Sequence, residues 1–372
     1  MAEIYNQGIV IDPYDQNKLF QSYRNNDYVE FCRLIDDGAN VNCFDQFGES
    51  LIGVIIQDPH SIKDNVKFFD KLMSSNVCVE QTNGDYDPLT MAIKRQDDLH
   101  YMEKILEKTK QFNKVRSRKF SKDEEPYGPP IFDALLTKNM DKINLLLKYD
   151  VDLTVCNWSQ IPILSFLLEE FKYDQKFIDT LFPILLEKGA VVDDPDLRGR
   201  KTINYWAIHN GSEKIFNLLM ENNANINSRN IYGNTVIWEA SLEQNYKAVF
   251  ILIKNNANLN VQNKQGVTPL MIALDQSDWK TAGILFESNS DISLCDNYGN
   301  NLAHYLVFSS NPKYASATCI AKSVVLLKKN PNLLYVKNKE GKTPMDVFEK
   351  VNKEEYLKFK KSLDQENQKE MQ

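Results

Sequence analysis

The hydrophobic and polar positions of this 372-residue chain repeat with a fixed period over its second half. Three markers recur 33 residues apart in matching settings: a turn glycine, a threonine after it, and an asparagine–apolar–asparagine unit. They are Gly233, Gly266 and Gly299; Thr202, Thr235 and Thr268; and residues 225–227 and 258–260, continued degenerately at 291–293. Three independent markers with one period indicate an internal repeat.

One period, residues 263–295, predicts a turn followed by two short helices. Gly266 suits a turn that needs positive φ, Thr268 suits a helix cap, and Pro269 suits the first helical position. We expect this helix to end near Leu274 and a tight turn to follow at 275–278. The second helix would present an apolar face of Ala282, Ile284, Leu285 and Phe286. One such unit cannot bury its apolar faces alone, so the period predicts a solenoid of stacked units.

These residues resemble the ankyrin repeat, whose pattern begins near Gly-x-Thr-Pro-Leu-His-x-Ala and ends near Gly-Ala-(Asp/Asn)-x-Asn. Residues 266–273 read Gly-Val-Thr-Pro-Leu-Met-Ile-Ala, with Met271 in place of the histidine. Residues 341–346 match the start of the pattern again, and residues 37–42 and 188–190 match its end. The resemblance implies an all-α ankyrin-repeat solenoid of helix-turn-helix repeats with β-hairpin or turn fingers.

The resemblance covers most of the chain as about ten units and is most regular in residues 197–345. Degenerate ankyrin repeats are expected in residues 16–112, and the main array in residues 129–350. Extra residues are expected in the second, fifth and ninth units, between or within helices. The ten units span 16–44, 45–83, 84–112, 129–156, 157–194, 195–229, 230–262, 263–295, 296–337 and 338–363.

Three segments lie outside this pattern. Residues 1–15 would be an N-terminal extension that either caps the array or lies loose. Residues 113–128 would be a charged loop insertion, and both a solvated loop and a motif phosphorylated at Ser117 or Ser121 remain open. Residues 351–372 would form a charged capping helix and tail on the last repeat. Its packing residues would be Tyr356, Leu357, Phe359 and Leu363.

The composition narrows the class of protein. Hydrophobic residues make up 42% of the chain, which argues against wholesale disorder, and the net charge of −7 argues against nucleic acid as a partner. No signal peptide and no apolar run of about 20 residues is present, so we expect a cytoplasmic protein without membrane insertion. The 6 cysteines form no C-x-x-C pair and the 4 histidines lie far apart, so neither a metal nor another cofactor is predicted. The thiols should be reduced and mostly buried.

The resemblance places partner contacts on the fingertips before each first helix and on the exposed end of that helix. Tyr232 and Tyr298 are the most prominent candidates, because aromatic side chains recur in interface hot spots, and Ile231 adds an apolar neighbour. The alternative is that these rings fold back on neighbouring fingers. The candidate protein-binding residues are Arg198, Arg200, His209, Ile231, Tyr232, Asn234, Lys264, Gln265, Asp275, Asn297 and Tyr298.

Other conspicuous side chains have structural interpretations. Trp206 and Trp238 fall in first helices, where core packing is preferred to a binding groove. His304 occupies the position of the family's usual histidine, where the resemblance implies a structural role. His209 is expected to be more exposed and to lack a partner.

No phosphate-binding loop, nucleophile elbow or metalloprotease motif is present, so an enzyme with an unrecognised site is a remote alternative. We expect a non-catalytic scaffold or adaptor that binds a partner protein through the concave ankyrin groove and the fingertips. One form of it is a subunit of a larger cytoskeletal or ciliary assembly. A second alternative is an ankyrin-type microbial effector that is delivered into a host cell and acts on host proteins.

Overall fold

The computed structural model describes residues 13–45, 48–58, 62–79, 87–95, 99–109, 129–308, 331–351, 353–354 and 356–361. Throughout these ranges the backbone forms helices, turns and isolated β-bridges. The predicted all-α class is therefore confirmed. The chain divides into two compact units, Met1–Ser159 and Gln160–Gln372, and each is described by itself.

The first unit contains helix pairs joined by tight turns. Its helices are α1 (Pro13–Arg24), α2 (Tyr28–Asp36), α3 (Leu51–Gln57), α4 (Ile62–Met73), α5 (Pro88–Lys94), α6 (His100–Lys108), α7 (Pro130–Leu136) and α8 (Met140–Leu146). First helices pack on first helices, as α3, α5 and α7 do, and second helices pack on second helices. Phe31, Phe68 and Phe69 are almost completely buried between the second helices. Stacked helix pairs thus bury apolar side chains that a single pair would expose to solvent.

The second unit continues with the same element order. Its helices are α9 (Ile163–Glu170), α10 (Gln175–Glu187), α11 (Thr202–Tyr205), α12 (Glu213–Glu221), α13 (Val236–Leu242), α14 (Tyr246–Lys254), α15 (Pro269–Asp275), α16 (Trp279–Glu287), α17 (Leu302–Phe308) and α18 (Pro344–Val351). A π-helical turn, Trp206–Asn210, follows α11, and a 3-10 helix, Pro331–Leu334, precedes α18.

The residues of one period adopt the predicted local structure. Gly266 has φ +82°, and the Thr268 hydroxyl accepts a hydrogen bond from Met271 N at 3.2 Å. Pro269 is the first residue of α15, where its missing N–H has no partner to lose. The helix ends at Asp275, one residue beyond the expected Leu274. Asp278 then caps α16 by accepting from Lys280 N and Thr281 N.

The extra residues of two units lie in their second helices. α10 has 13 residues and α4 has 12, whereas α12, α14 and α16 have 9 each. The expected excess in the ninth unit falls on residues 309–330, which lie outside the described residues, as do residues 1–12 and the charged loop at 113–128.

The C-terminal helical segment caps α18 with two of the four expected residues. The rings of Tyr356 and Phe359 are buried and lie 5.9 Å and 5.8 Å from the ring of Phe348. Leu357 is 55% exposed, so it does not pack as expected, because it lies on the other face of the helix. Leu363 lies outside the described residues.

Two further expectations concern cysteines and membranes. Among the five cysteines that the structure describes, only Cys43 is fully buried, so the expectation of mostly buried thiols was wrong; Cys319 is not described. None of these five cysteines is in a disulfide, and burial raises the pKa of Cys43 to about 12. In the described ranges no helix combines the length and the apolar character that crossing a bilayer requires.

Candidate functional site

Five turns of the second unit project before first helices, and we call them fingers. Each begins with an aspartate or asparagine whose side chain accepts hydrogen bonds from backbone N–H groups two and four residues later. The fourth residue of each finger is a glycine with positive φ, between +71° and +82°. The fingers are residues 196–200, 230–234, 263–267, 296–300 and 338–342.

Single β-bridges close two of these fingers. Arg229 pairs with Thr235 and Cys295 pairs with Asn301, each in antiparallel orientation. The expected hairpins are therefore reduced to one bridge per finger at these two positions. The two hydrogen bonds to the Asp or Asn side chain at the first position fix the rest of each turn.

Neighbouring fingers are joined by backbone hydrogen bonds. Ile231 N donates to Arg198 O at 2.8 Å, and Lys264 N donates to Tyr232 O at 3.0 Å. The same bond recurs twice more, from Asn297 N to Gln265 O and from Lys339 N to Tyr298 O, both at 2.9 Å. The second and third residues of the five fingers thus form one continuous row, which we call the finger ladder.

Apolar side chains stand exposed on this ladder. Tyr232 is 54% exposed, Tyr298 is 67% exposed and Ile231 is 48% exposed. Both tyrosine rings are more than half open to solvent, so they are not folded under a neighbouring finger. Leu197, at 73%, is the most exposed apolar residue of the ladder. Large aromatic side chains are the kind that dominate protein interfaces, and here they extend from a backbone that hydrogen bonds hold in place.

The other candidate residues divide between exposed and enclosed positions. Arg198, Lys264, Gln265 and Asn297 are exposed on the ladder, and Asp275 is exposed at the end of α15. Asn234, expected at a fingertip, is buried, and its side-chain Oδ1 accepts a hydrogen bond from Asn263 Nδ2 of the next finger at 3.0 Å. It therefore links two fingers.

Arg200 turns inward from its finger. Its guanidinium forms an ion pair with Asp196 at 2.9 Å, lies 4.5 Å from the centre of the Tyr205 ring, and donates to the Tyr205 hydroxyl. Tyr205 in turn donates to Asp196 Oδ2 at 2.8 Å, and burial raises the pKa of this tyrosine. Only 17% of the Arg200 side chain is exposed, so this residue braces the finger on α11.

His209 is half-buried rather than exposed. The π-helical turn holds its ring 6.2 Å from that of Tyr205. Burial, together with the positive charges of Lys172 and Arg200, lowers the pKa of His209 to about 4. The ring is therefore neutral near neutral pH.

Buried polar side chains join the fingers to the helices behind them. Glu239 on α13 accepts from Asn204 Nδ2 and from Asn230 Nδ2, both at 2.7 Å. Burial raises the pKa of Glu239, and the two amide hydrogen bonds oppose that rise. This network fixes the finger at 230–234 against two first helices.

Trp206, Trp238 and His304, for which the sequence predicted structural roles, are core residues. Trp206 is fully buried and donates to Ser212 O at 2.8 Å, and Trp238 is 7% exposed. His304 is fully buried, with Nδ1 at 2.8 Å from Asn301 Oδ1 and Nε2 at 3.1 Å from Lys342 O. It connects α17 to the last finger.

Two ladder residues escaped prediction. Leu197 and Lys339 occupy the same finger position as Ile231, directly after the acceptor residue. The turn pattern was the available signal, but Leu197 precedes its counterpart Ile231 by 34 residues and Lys339 follows its counterpart Asn297 by 42, so neither keeps the period of 33. The described residues contain no cluster of metal-binding side chains.

The comparisons with known proteins concern the middle of the chain. Residues 155–263 match a family model described as ankyrin repeats, in three copies. A search of curated proteins returned no match. The matched segment contains the first two fingers of the ladder.

Proposed function

Because this chain carries ankyrin repeats, which are generally modules of protein–protein interaction, we propose that it is a non-catalytic scaffold or adaptor whose finger ladder contacts a partner protein. The observation that carries the proposal is the exposure of Tyr232 and Tyr298 on fingers that hydrogen bonds hold in register. A finger backbone already held in place and tyrosine side chains with two rotatable bonds lose little conformational freedom on binding, so more of the contact energy becomes affinity.

The surface favours a binding function over catalysis on physical grounds. The polar groups behind the ladder, among them Arg200, Glu239 and Asn204, are engaged in hydrogen bonds that brace the fingers. Apart from Glu340, which is paired with Lys342, the exposed ladder residues are apolar, amide or cationic side chains spread along a row, a composition that suits a macromolecular surface. A cytoplasmic location and membership in a larger assembly stay predictions.

The test is affinity capture with the full chain, followed by mass spectrometry. The wild type is compared with the Ile231→Ala, Tyr232→Ala, Tyr298→Ala variant. A matched control removes three exposed aromatic rings elsewhere in the same unit, through Tyr173→Ala, Tyr246→Ala and Phe250→Ala. Circular dichroism confirms that both variants are folded.

We expect a partner that the wild type and the control capture and that the finger variant loses. Loss of about 2 kcal/mol or more per hot-spot side chain would weaken binding by orders of magnitude. Equal capture by all three proteins, or the absence of any protein specific to the wild type, would reject the ladder as the contact surface.

A further inference from the structure

We infer that the finger ladder selects an extended acidic segment of its partner, with carboxylates opposite three cations and apolar side chains between them. The inference rests on the proposed function and adds the chemistry of the bound segment. Its basis is the order of side chains along the ladder, which the backbone bonds between fingers establish.

Cationic and apolar side chains alternate from finger to finger. Arg198 lies on the first finger, the apolar pair Ile231 and Tyr232 on the second, and Lys264 on the third. Tyr298 lies on the fourth finger and Lys339 on the fifth. A binding segment that crosses the ladder would therefore meet a positive charge on every second finger and an aromatic ring on the fingers between, with a further apolar contact at Leu197 beside Arg198.

The three cations are available to a ligand. All three side chains are exposed, and within the described residues none forms an ion pair. The only carboxylate at an exposed ladder position is Glu340, which pairs with Lys342 at 2.6 Å. The ladder is thus cationic on a chain whose net charge is −7. Such local charge attracts an acidic ligand and orients it.

The spacing sets the expected pattern of the ligand. Each finger contributes two ladder residues and one hydrogen-bonded step to the next finger, which together advance on the order of 9 Å. An extended peptide advances about 3.4 Å per residue, so it passes one finger in about three residues. Side chains of an extended peptide alternate between its two faces, so carboxylates about six residues apart, with apolar side chains about two or four residues after the first of them, would all face the ladder.

The tyrosines that lie between the cations favour a ligand with apolar side chains over one that binds through charge alone. A polyanion without apolar groups would leave Ile231, Tyr232 and Tyr298 in water and would use only the cations. Bases could stack on the two tyrosines, but the exposed aliphatic side chains of Ile231 and Leu197 offer no stacking surface, whereas apolar side chains of a peptide can pack on all four residues. We therefore assign the ladder to an acidic protein segment and treat an oligonucleotide as a competing outcome.

The test measures binding of fluorescent synthetic peptides to the full chain by anisotropy. One peptide has glutamates about six residues apart with leucine or phenylalanine about two and four residues after the first, so that all of them lie on one face, and glycine or serine elsewhere. A second has the same composition in scrambled order, a third has serine in place of the apolar residues, and a fourth has lysine in place of glutamate. A single-stranded oligonucleotide of similar length is the fifth probe.

Two triple variants test the protein side. Arg198→Glu, Lys264→Glu, Lys339→Glu reverses the ladder cations, while Lys176→Glu, Lys188→Glu, Lys247→Glu makes the same change in net charge at exposed lysines elsewhere in the unit. We expect the patterned peptide to bind about tenfold or more weakly to the ladder variant, and nearly unchanged to the control. Binding should also weaken as salt rises from about 0.05 M to about 0.5 M.

The outcomes separate the inference from the proposed function. If the captured partner is lost from the aromatic variant but retained by the charge-reversed ladder, the ladder binds proteins and the acidic ligand is rejected. Equal binding of the patterned, scrambled and lysine peptides, or tighter binding of the oligonucleotide, also rejects it. If neither ladder variant affects capture, both proposals fail.

Discussion

Glu239 and Asn230 connect a first helix to the finger of its own repeat: Asn230 Nδ2 donates to Glu239 Oε1 at 2.7 Å. Asn204, from the preceding repeat, donates to the other carboxylate oxygen. Neither amide is free to rotate, because Asn230 Oδ1 accepts from Tyr232 N and Asn204 Oδ1 accepts from Lys201 N. Position 239 therefore requires a side chain with two terminal oxygens that each accept a hydrogen bond.

Glu239→Gln should lower the free energy of unfolding by about 1–2 kcal/mol, although it removes a buried charge. The new amide would point its NH2 group at the NH2 group of Asn204 or Asn230, which leaves buried donors without acceptors. Urea denaturation measures the change, with Glu243→Gln, at the exposed C-terminal end of the same helix, as the control. A glutamine variant more stable than the wild type would show that desolvation of the carboxylate outweighs its hydrogen bonds.

Gly266→Ala and Gly341→Ala should differ in cost although both glycines have similar positive φ, +82° and +76°. A Cβ at Gly266 would lie 2.7 Å from Asn297 N of the next finger, while one at Gly341 would meet nothing within 4 Å. We expect about 1 kcal/mol at Gly341 from backbone strain and about 2–4 kcal/mol at Gly266, where the clash is added. Chemical denaturation of the two variants compares these costs. Equal losses would mean that the fingers move apart freely.

The sequence predicted the parts of the fold that depend on local signals. Gly266, Thr268 and Pro269 each act on the backbone within a few residues, so their turn, cap and helix start were readable without tertiary information. The helix ends were accurate within one residue in that repeat. Periodicity then supplied the stacking, because each repeat must bury its faces on the next.

The site was less accessible to this reasoning because exposure depends on contacts across repeats. Asn234 is enclosed by Asn263 of the next finger, and Arg200 by its ion pair with Asp196 and the ring of Tyr205. Leu197, which lies beside the predicted Arg198, and Lys339 were missed although each directly follows an Asp or Asn and precedes a turn glycine by two residues. A fixed spacing identifies which residues occupy equivalent positions in successive repeats, but not the direction in which their side chains point.

Lys142→Met should destabilise the first unit by about 1–3 kcal/mol while keeping the volume of the side chain. Lys142 is 2% exposed, and its Nζ donates to Ile93 O at 2.7 Å and to Arg95 O, carbonyls at the end of α5. Helix ends leave such carbonyls without intrahelical partners, and methionine cannot donate to them. Hydrogen exchange of α5 and α8 would report the loss locally, with exposed Lys148→Met as the control. Unchanged protection of α5 would show that water replaces the ammonium without cost.

His209 should make the second unit less stable as the pH falls from about 6.5 towards about 4. Burial, Lys172 and Arg200 lower its pKa to about 4 in the folded chain, whereas an unfolded histidine titrates near its ordinary value. Between these values the unfolded chain binds the proton and the folded chain does not, so protonation favours unfolding.

The measurement compares the free energy of unfolding of the wild type and of His209→Gln over that range of pH. Glutamine does not titrate, so the difference between the two proteins isolates His209 from the acidic groups that titrate at low pH, Glu239 among them. We expect the wild type to lose on the order of 1 kcal/mol more than the variant, a value reduced for the partial exposure of the ring. Parallel pH profiles would mean that the ring is solvated when folded, and a wild type that gains stability towards pH about 4 would mean that an unrecognised anionic group faces it.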